Sequence, residues 1–302
     1  MNHQGSSHDH LSDIFERYVP AFEQINGKRW AIIGASGWVG SNLVDFGRRA
    51  GAQVSLFGSK SRTQNIAGCD EFVEQLNTAR IMSEYFDTIW DCAFMTREKL
   101  AVDSSLLEVN ELLMRSTTSI AGHGNYGSYL YISSGASQIK TRTDAYSDQK
   151  LRMEMGIADI ARTSISDLRI IRLWNVTGPY CKKRQYFAIT SMLDSARRTG
   201  TITIDSQSLV WRRYMAIPDL VAGVILDPIR RREIDSGGHL VELGDLADKI
   251  FEYLRISPAV QRTLSDPVPD VYLSNATEIE EILVRSGIIP LQLADQLRLV
   301  SR

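Results

Sequence analysis

An α/β fold with a doubly wound parallel sheet and a smaller C-terminal substrate lobe is predicted by three observations. Residues 30–40, WAIIGASGWVG, join a short apolar run to a glycine turn and a helical pattern. Strand-like apolar runs then alternate with helix-spaced segments as far as residue 176. Such alternation means a parallel sheet covered by helices on both faces. The length, 302 residues with 43% hydrophobic and 23% charged, suffices for one large domain or a domain plus a lobe.

Residues 1–27 read as an N-terminal tail and a short helix. The first ten, MNHQGSSHDH, lack the apolar stretch of a signal peptide. His3, His8 and His10 are read as a disordered polar tail and not as a metal site. Leu11, Ile14, Phe15, Tyr18 and Val19 then recur at helical spacing, with Ser12 as the cap. Packing on the domain edge is favoured over a dimer contact.

Residues 28–180 read as the dinucleotide-binding domain. The first strand, Trp30 to Ile33, runs straight into Gly34, Gly37 and Gly40, and Val39, Leu43, Val44 and Phe46 mark the helix after it. A turn of this kind lets the backbone approach a pyrophosphate, and the free N–H groups of the helix face that anion. Ser36, Trp38 and Val39 belong to the same turn. The plain alternative is a glycine-rich turn with no ligand.

The second strand is residues 52–58. A carboxylate at its end would bond the ribose hydroxyls of NAD. Gly58 stands there, followed by Ser59, Lys60, Ser61 and Arg62. Two hydroxyls and two cations suit a 2′-phosphate, so NADP is preferred over NAD. Residues 88–94 form the next buried strand, 105–121 a helix, 128–134 a strand, 145–162 a long helix and 168–176 another strand.

Chemistry concentrates where the strand ending Ser133-Ser134 precedes the helix carrying Tyr146 and Lys150. Tyr and Lys four apart share one helical face. An ammonium beside a phenol lowers its pKa and equips it for proton exchange with an alcohol or carbonyl. Lys150 also suits the nicotinamide ribose, and a serine hydroxyl from the strand end can orient the substrate oxygen.

On these motifs the chain resembles the extended short-chain dehydrogenases/reductases, the NAD(P)-dependent epimerase/dehydratase family acting on nucleotide sugars. The resemblance runs from about residue 28 to 290. It implies a Rossmann-like domain, with GASGWVG as the cofactor turn and Ala93 and Asn110 beside the cofactor. It implies Ser134, Tyr146 and Lys150 as the catalytic set. RLWNVTGP, 172–179, and WRRYMAIPDLVAGV, 211–224, resemble two later family segments. Asn175 then lies near the sugar, Arg212 grips the nucleotide diphosphate, and Asp219 fixes a local turn. A solvated surface pair is the plain alternative for Arg212 and Arg213.

Departures narrow the chemistry. Gly135-Ala136 stands where the family's dehydratases carry an acidic pair, which disfavours dehydration, and decarboxylation with it. Ser137-Gln138-Ile139 replaces the usual Val-Tyr-Gly. Asp91 stands where the family commonly has His.

Residues 181–302 read as a smaller substrate-binding lobe, with a strand returning to the main sheet near 212–220. Residues 270–285 read as a turn and a helix, with Gly287 as its cap. The net charge of −2 gives no reason to expect nucleic acid, and no apolar run is long enough for a membrane. Cys69, Cys92 and Cys181 are spaced for neither disulfides nor zinc, which fits a reduced cytoplasmic setting. His123 and His239 lack metal-like partners nearby in sequence.

Three functions are expected from this reading. The first is a ketoreductase on a nucleotide-linked sugar using NADPH. The second is an epimerase with tightly held NAD(P), and the third a non-catalytic NADP(H)-binding relative. The expected partners are a nucleotide-diphosphate sugar or another small carbonyl compound, with a second copy of the chain as a candidate for a homodimer.

Overall fold

The computed structural model describes residues 11–123, 125–139, 144–164 and 166–301. His3, His8 and His10 lie outside them. The chain enters through α1 (Ser12–Phe15), a 3-10 turn and α2 (Val19–Ile25). Leu11, Ile14, Phe15 and Tyr18 are buried in the main core, with Phe15 and Tyr18 packed on Phe46. Two expectations change here. Val19 is exposed, because Pro20 starts a new helix whose core-facing residues are Ala21 and Ile25. Ser12 does not cap, because helix α1 already starts at it and Leu11 holds the cap position.

The first βαβ unit is β1 (Arg29–Ile33), α3 (Trp38–Arg49) and β2 (Gln53–Gly58). A hairpin follows, β3 (Arg62–Ile66) and β4 (Cys69–Gln75), then α4 (Thr78–Ser83) and β5 (Phe86–Asp91). Helices α5 (Arg97–Val102) and α6 (Leu106–His123) lead to β6 (Tyr126–Ser134), α7 (Ala145–Thr163) and β7 (Asp167–Leu173).

The second half holds β8 (Val176–Thr177), α8 (Ala188–Thr199), β9 (Ile202–Ile204), β10 (Val210–Ala216) and α9 (Ile217–Leu226). It continues through β11 (Glu233–Asp235), β12 (His239–Glu242), α10 (Leu243–Leu254), β13 (Val260–Arg262) and β14 (Asp270–Tyr272). Helices α11 (Glu278–Arg285) and α12 (Leu293–Val300) close the described chain. Gly287, with φ +75°, follows α11 as expected of a stop signal.

The main sheet has 8 strands in the order β11-β7-β6-β5-β1-β2-β4-β3. All neighbours are parallel except the hairpin. Chain direction across the sheet reverses between β1 and β5. That switch point is where a crevice opens at the strands' C-terminal ends.

Two differences from the sequence reading concern strands. The expected strand over 168–176 breaks at Trp174 and Asn175, so β7 stays in the main sheet and β8 leaves it. The strand expected to return near 212–220 is β10, and it pairs with β8, β12 and β14 in a second sheet. The main sheet is completed by β11 instead. Helix α9 does return to the main layer, where Leu220, Val221 and Val224 join the core around α3.

Asp219, buried in the first turn of α9, accepts the Tyr18 hydroxyl and the Leu291 backbone N–H, both at 2.7 Å. Burial raises its pKa to about 6. A separate apolar cluster of α8, α10 and α12 with β9 and β10 gives the second half its own core. Among the described residues no helix is long and apolar enough to cross a membrane.

Candidate active site

The glycine turn lies between β1 and α3, beside the switch point. Gly34 has φ +85°, and a Cβ there would stand 2.9 Å from the Ala93 nitrogen. A Cβ at Gly40 would meet the Gly34 carbonyl at 2.3 Å. Glycine is therefore required at both places for the turn to close. Gly37 is the exposed N-cap of α3, and no side chain caps the helix. Its end is free to meet an anion. Trp38 leans the other way, donating its indole N–H to the Pro179 carbonyl at 2.9 Å and packing on Phe187. Ser36 and Val39 are half-buried in the same turn.

At the end of β2, Ser59, Lys60 and Arg62 are all exposed. A side chain at Gly58 would stand 2.9 Å from Val73 on the hairpin, so the hairpin denies a carboxylate that place. Among the described residues neither cation forms an ion pair.

Opposite the glycine turn, Asp91 ends β5 in a fully buried position. It accepts the Tyr129 hydroxyl at 2.8 Å and the Ala93 N–H at 3.2 Å. Burial raises its pKa, against the Tyr129 bond and the Lys150 charge. This accounts for a residue the sequence left unexplained: Asp91 shapes the Ala93 corner and faces the buried ammonium. Asn110 is fully buried, accepting the Met95 N–H at 2.7 Å and donating to Gln149 at 2.9 Å. It ties the segment after β5 to the helix carrying Tyr146 and Lys150.

Helix α7 begins at Asp144, whose carboxylate accepts the Ser147 N–H. One turn in, Tyr146 meets Phe94 edge-on at 5.8 Å. The Arg97 guanidinium lies over its ring at 5.4 Å, bonded to the Ser147 hydroxyl at 3.0 Å and paired with Asp144 at 2.8 Å. The Lys150 ammonium is buried. It donates to the Ile132 carbonyl at 2.8 Å and lies over the rings of Phe94 and Tyr131.

Burial pulls Lys150 down to about 8, with Asp91 and Glu154 opposing. Burial pushes the Tyr146 phenol up to about 12, against a hydrogen bond with Ser134 and the charge of Arg97. This reverses the expected direction. Lys150 spends its ammonium on a carbonyl and two rings, and the cation stacked on the phenol ring is Arg97.

Ser134 ends β6 and accepts the Ala136 N–H in the 3-10 turn Gly135–Gln138. Its neighbour Ser133 is buried and donates to Glu154 at 2.5 Å. Glu154 also accepts Ser137 at 2.6 Å, Arg172 at 2.9 Å and Gln138 at 3.1 Å. One buried carboxylate thus joins α7, the turn after Ser134 and β7. Sequence reasoning passed over Glu154, although its spacing, four residues beyond Lys150 on one helical face, was readable.

The far end of the site comes from the second sheet. Asn175 donates to the Tyr272 carbonyl at 3.3 Å. Arg212 on β10 bonds the Asp270 carboxylate at 2.7 Å and the Trp211 carbonyl at 2.9 Å, and its guanidinium lies over the Tyr272 ring. Trp174 packs on Tyr272 with ring centroids 5.0 Å apart. Ser134, Tyr146 and Lys150 are therefore brought together, Asn175 and Arg212 meet around Tyr272, and Lys60 and Arg62 stand apart at the end of β2. Arg97, Trp174 and Tyr272 were missed, since Arg97 opens a six-residue helix, Trp174 follows the end of β7 and Tyr272 ends a three-residue strand, none long enough to show a periodic pattern.

Residues 30–240 match the model of the NAD dependent epimerase/dehydratase family. No curated protein sequence matches the chain. Among solved structures, the epimerase Mth375 from Methanothermobacter thermautotrophicus superposes with a TM-score of 0.71 at 19% identity, covering 95% of this chain and 94% of that one. Thermus thermophilus UDP-glucose 4-epimerase, in complex with NAD, gives 0.68 at 16% identity over 90% and 97% of the two chains. RMD from Pseudomonas aeruginosa, complexed with NADPH, gives 0.66 at 16% identity over 90% and 97%. At these identities the likeness speaks for the Rossmann-like fold.

Proposed function

The chain belongs to the NAD dependent epimerase/dehydratase family, and on that premise we propose that it reduces a keto group of a nucleotide-linked sugar with NADPH. The observation that carries the reading is the meeting of the Ser134 hydroxyl and the Tyr146 phenol, one helical turn from buried Lys150. A phenol pushed up to about 12 is protonated near neutral pH. It is then a proton donor for a developing alkoxide. Ser134 orients the carbonyl oxygen toward that proton.

The residues present fit the cofactor. Gly34 and Gly40 admit no side chain, and the uncapped start of α3 offers N–H groups to a pyrophosphate. Lys60 and Arg62 would supply charge for a 2′-phosphate, and Lys150 would hold the ribose hydroxyls. NADPH would supply the hydride. Arg212 and Asn175 are proposed to hold the diphosphate and the sugar's near edge.

A second reading, epimerisation with NAD(P) retained, draws support from the neighbours described as epimerases. It begins by oxidising an alcohol, for which Tyr146 takes the hydroxyl proton, and ends by returning that proton to the opposite alcohol. The test follows NADPH absorbance with a UDP-4-keto-hexose, and sugar configuration with a UDP-hexose and oxidised NAD(P). Steady NADPH loss with reduced product supports the reductase, and Tyr146→Phe should then slow it by about a hundredfold or more while NADPH still binds. Configuration inverted without NADPH loss selects epimerisation. Near-normal turnover by Tyr146→Phe rejects the assignment of the acid.

A further inference from the structure

Tyr146 and Lys150 are one helical turn apart, yet different partners hold them. The ammonium donates to the Ile132 carbonyl, lies 4.1 Å from the Phe94 ring centroid and 4.8 Å from that of Tyr131, and faces Asp91, Glu154 and the Cys92 thiol. The phenol meets Phe94 edge-on at 5.8 Å and bonds Ser134 at the end of β6. It also faces Tyr272 on β14 and both Glu98 and Arg97 on α5. Buried Tyr131 on β6 is a further titratable neighbour.

Arg97 is fixed by the start of the helix that carries Tyr146. Its guanidinium lies 5.4 Å from the Tyr146 ring centroid. It donates to the hydroxyl of Ser147, the next residue in the chain, at 3.0 Å and pairs with Asp144 at 2.8 Å. The Asp144 carboxylate also accepts the Ser147 N–H and hydroxyl, so one group caps α7 and clamps the cation. The Arg97 Nε–H is buried with no hydrogen-bond partner among the described residues. A buried donor left unmade is costly, so hydrogen bonding alone does not account for this position. What the position supplies is a charge over the ring. A guanidinium keeps that charge at every pH the protein meets.

We propose that Arg97 is a positioning residue for the proton transfer: it holds a fixed positive charge over the Tyr146 ring and stabilises the phenolate left when the phenol gives up its proton. The inference rests on the proposed function for Tyr146 as the donor. In that step the proton passes from the phenol oxygen to the substrate alkoxide, and the bonding pair stays on the phenol oxygen as its negative charge. Arg97 acts through Tyr146 and touches no reacting atom. Glu98, beside it on α5, opposes it, and burial outweighs both. Lys150, spent on a carbonyl and two rings, keeps the part proposed for it at the ribose.

The experiment titrates the phenol directly, in the protein without cofactor or sugar. A fluorinated tyrosine, whose phenol ionises at lower pH, replaces Tyr146, and its 19F resonance is followed against pH. Arg97→Gln keeps a polar side chain and removes the charge. Loss of a cation disfavours the anionic form, so the midpoint should rise, by about 1 unit. Arg97 is 38% exposed, which holds the shift to the low end of the usual range. Arg97→Lys should restore most of the wild-type midpoint. Glu98→Gln should move it the other way, down.

Opposite shifts from two adjacent residues are the mark of charge, since loosened packing has no such sign. An unmoved midpoint in Arg97→Gln, or Arg97→Gln and Glu98→Gln moving together, overturns the proposal. So does Lys150→Gln moving the midpoint further than Arg97→Gln, which would return the part to Lys150. The reading of Tyr146 as the acid is judged separately, by the turnover of Tyr146→Phe, so either result can fail while the other stands.

Discussion

Glu154→Gln should lower stability by about 2 kcal/mol and raise KM by loosening the turn behind Ser134. The Glu154 carboxylate is 4% exposed and receives two serine hydroxyls on one oxygen and Arg172 with Gln138 on the other. A glutamine can keep its carbonyl toward Arg172 and turn its amide toward the serines, whose oxygens accept. Shape and bond count survive, and only the charge is lost. Removing one partner of a fully isolated buried pair costs about 3–5 kcal/mol. Here Arg172 retains Glu233 at 2.7 Å and Asp235 at 3.9 Å. Glu233 is 57% exposed and well screened, so the loss falls toward the roughly 1.5–3 kcal/mol of one charged hydrogen bond. Glu154→Leu removes every acceptor and should cost clearly more. Urea unfolding measures both. If both variants unfold within about 0.5 kcal/mol of the wild type, the usual spread of surface changes, the carboxylate is not the junction described.

The Lys60→Ala/Arg62→Ala variant should lose about 1–3 kcal/mol of NADPH affinity and leave NADH affinity unchanged; parallel losses in titrations of both cofactors would sink the 2′-phosphate assignment. Arg212→Ala should raise KM for a nucleotide sugar more than it lowers kcat, read from initial rates with UDP as competitor, and a kcat effect alone would remove Arg212 from ground-state binding. Asp219 has a folded pKa of about 6 against 3.8 for the ordinary side chain. Its protonated form therefore favours the fold below about pH 4, and that contribution, about 3 kcal/mol, is lost as pH rises through about 6. Wild-type stability should fall across this window relative to Asp219→Asn, and parallel urea-midpoint curves would refute the shift.

The glycine turn and the order of βα units were legible because Gly34, Gly40 and the apolar strands obey local rules. Each glycine answers a clash that neighbouring backbone imposes wherever this turn occurs. Ser134, Tyr146 and Lys150 were legible as a set because one strand end and one helical turn place them. What their environment does to them was not. The direction of the Tyr146 pKa depends on burial, and the cation on its ring comes from Arg97, at the start of the six-residue helix α5. The hairpin β3–β4 escaped notice because its strands are polar and lie at the sheet edge, where one face needs no core. Strand β10 reads as buried and β-branched neighbours follow it, but nothing within it says which sheet it joins. That is set by β8, β12 and β14, up to 60 residues away in register, as Arg212 opposite Tyr272 illustrates.

The carboxylate of Asp219 receives a proton donor 201 positions earlier in the chain and another 72 positions later. During synthesis helices α1 and α2 emerge well before α9, yet the surface they must cover is incomplete until α9 and the Leu291 segment have left the ribosome. Contacts of such sequence separation form late, because loop closure must precede their gain. The nascent glycine-turn unit thus keeps the apolar side of α3 exposed until α9 and the Leu291 segment have been made. The order of appearance and the order of docking are uncoupled, and the Leu291 segment with α9 acts as the latch for the helices over residues 12–25.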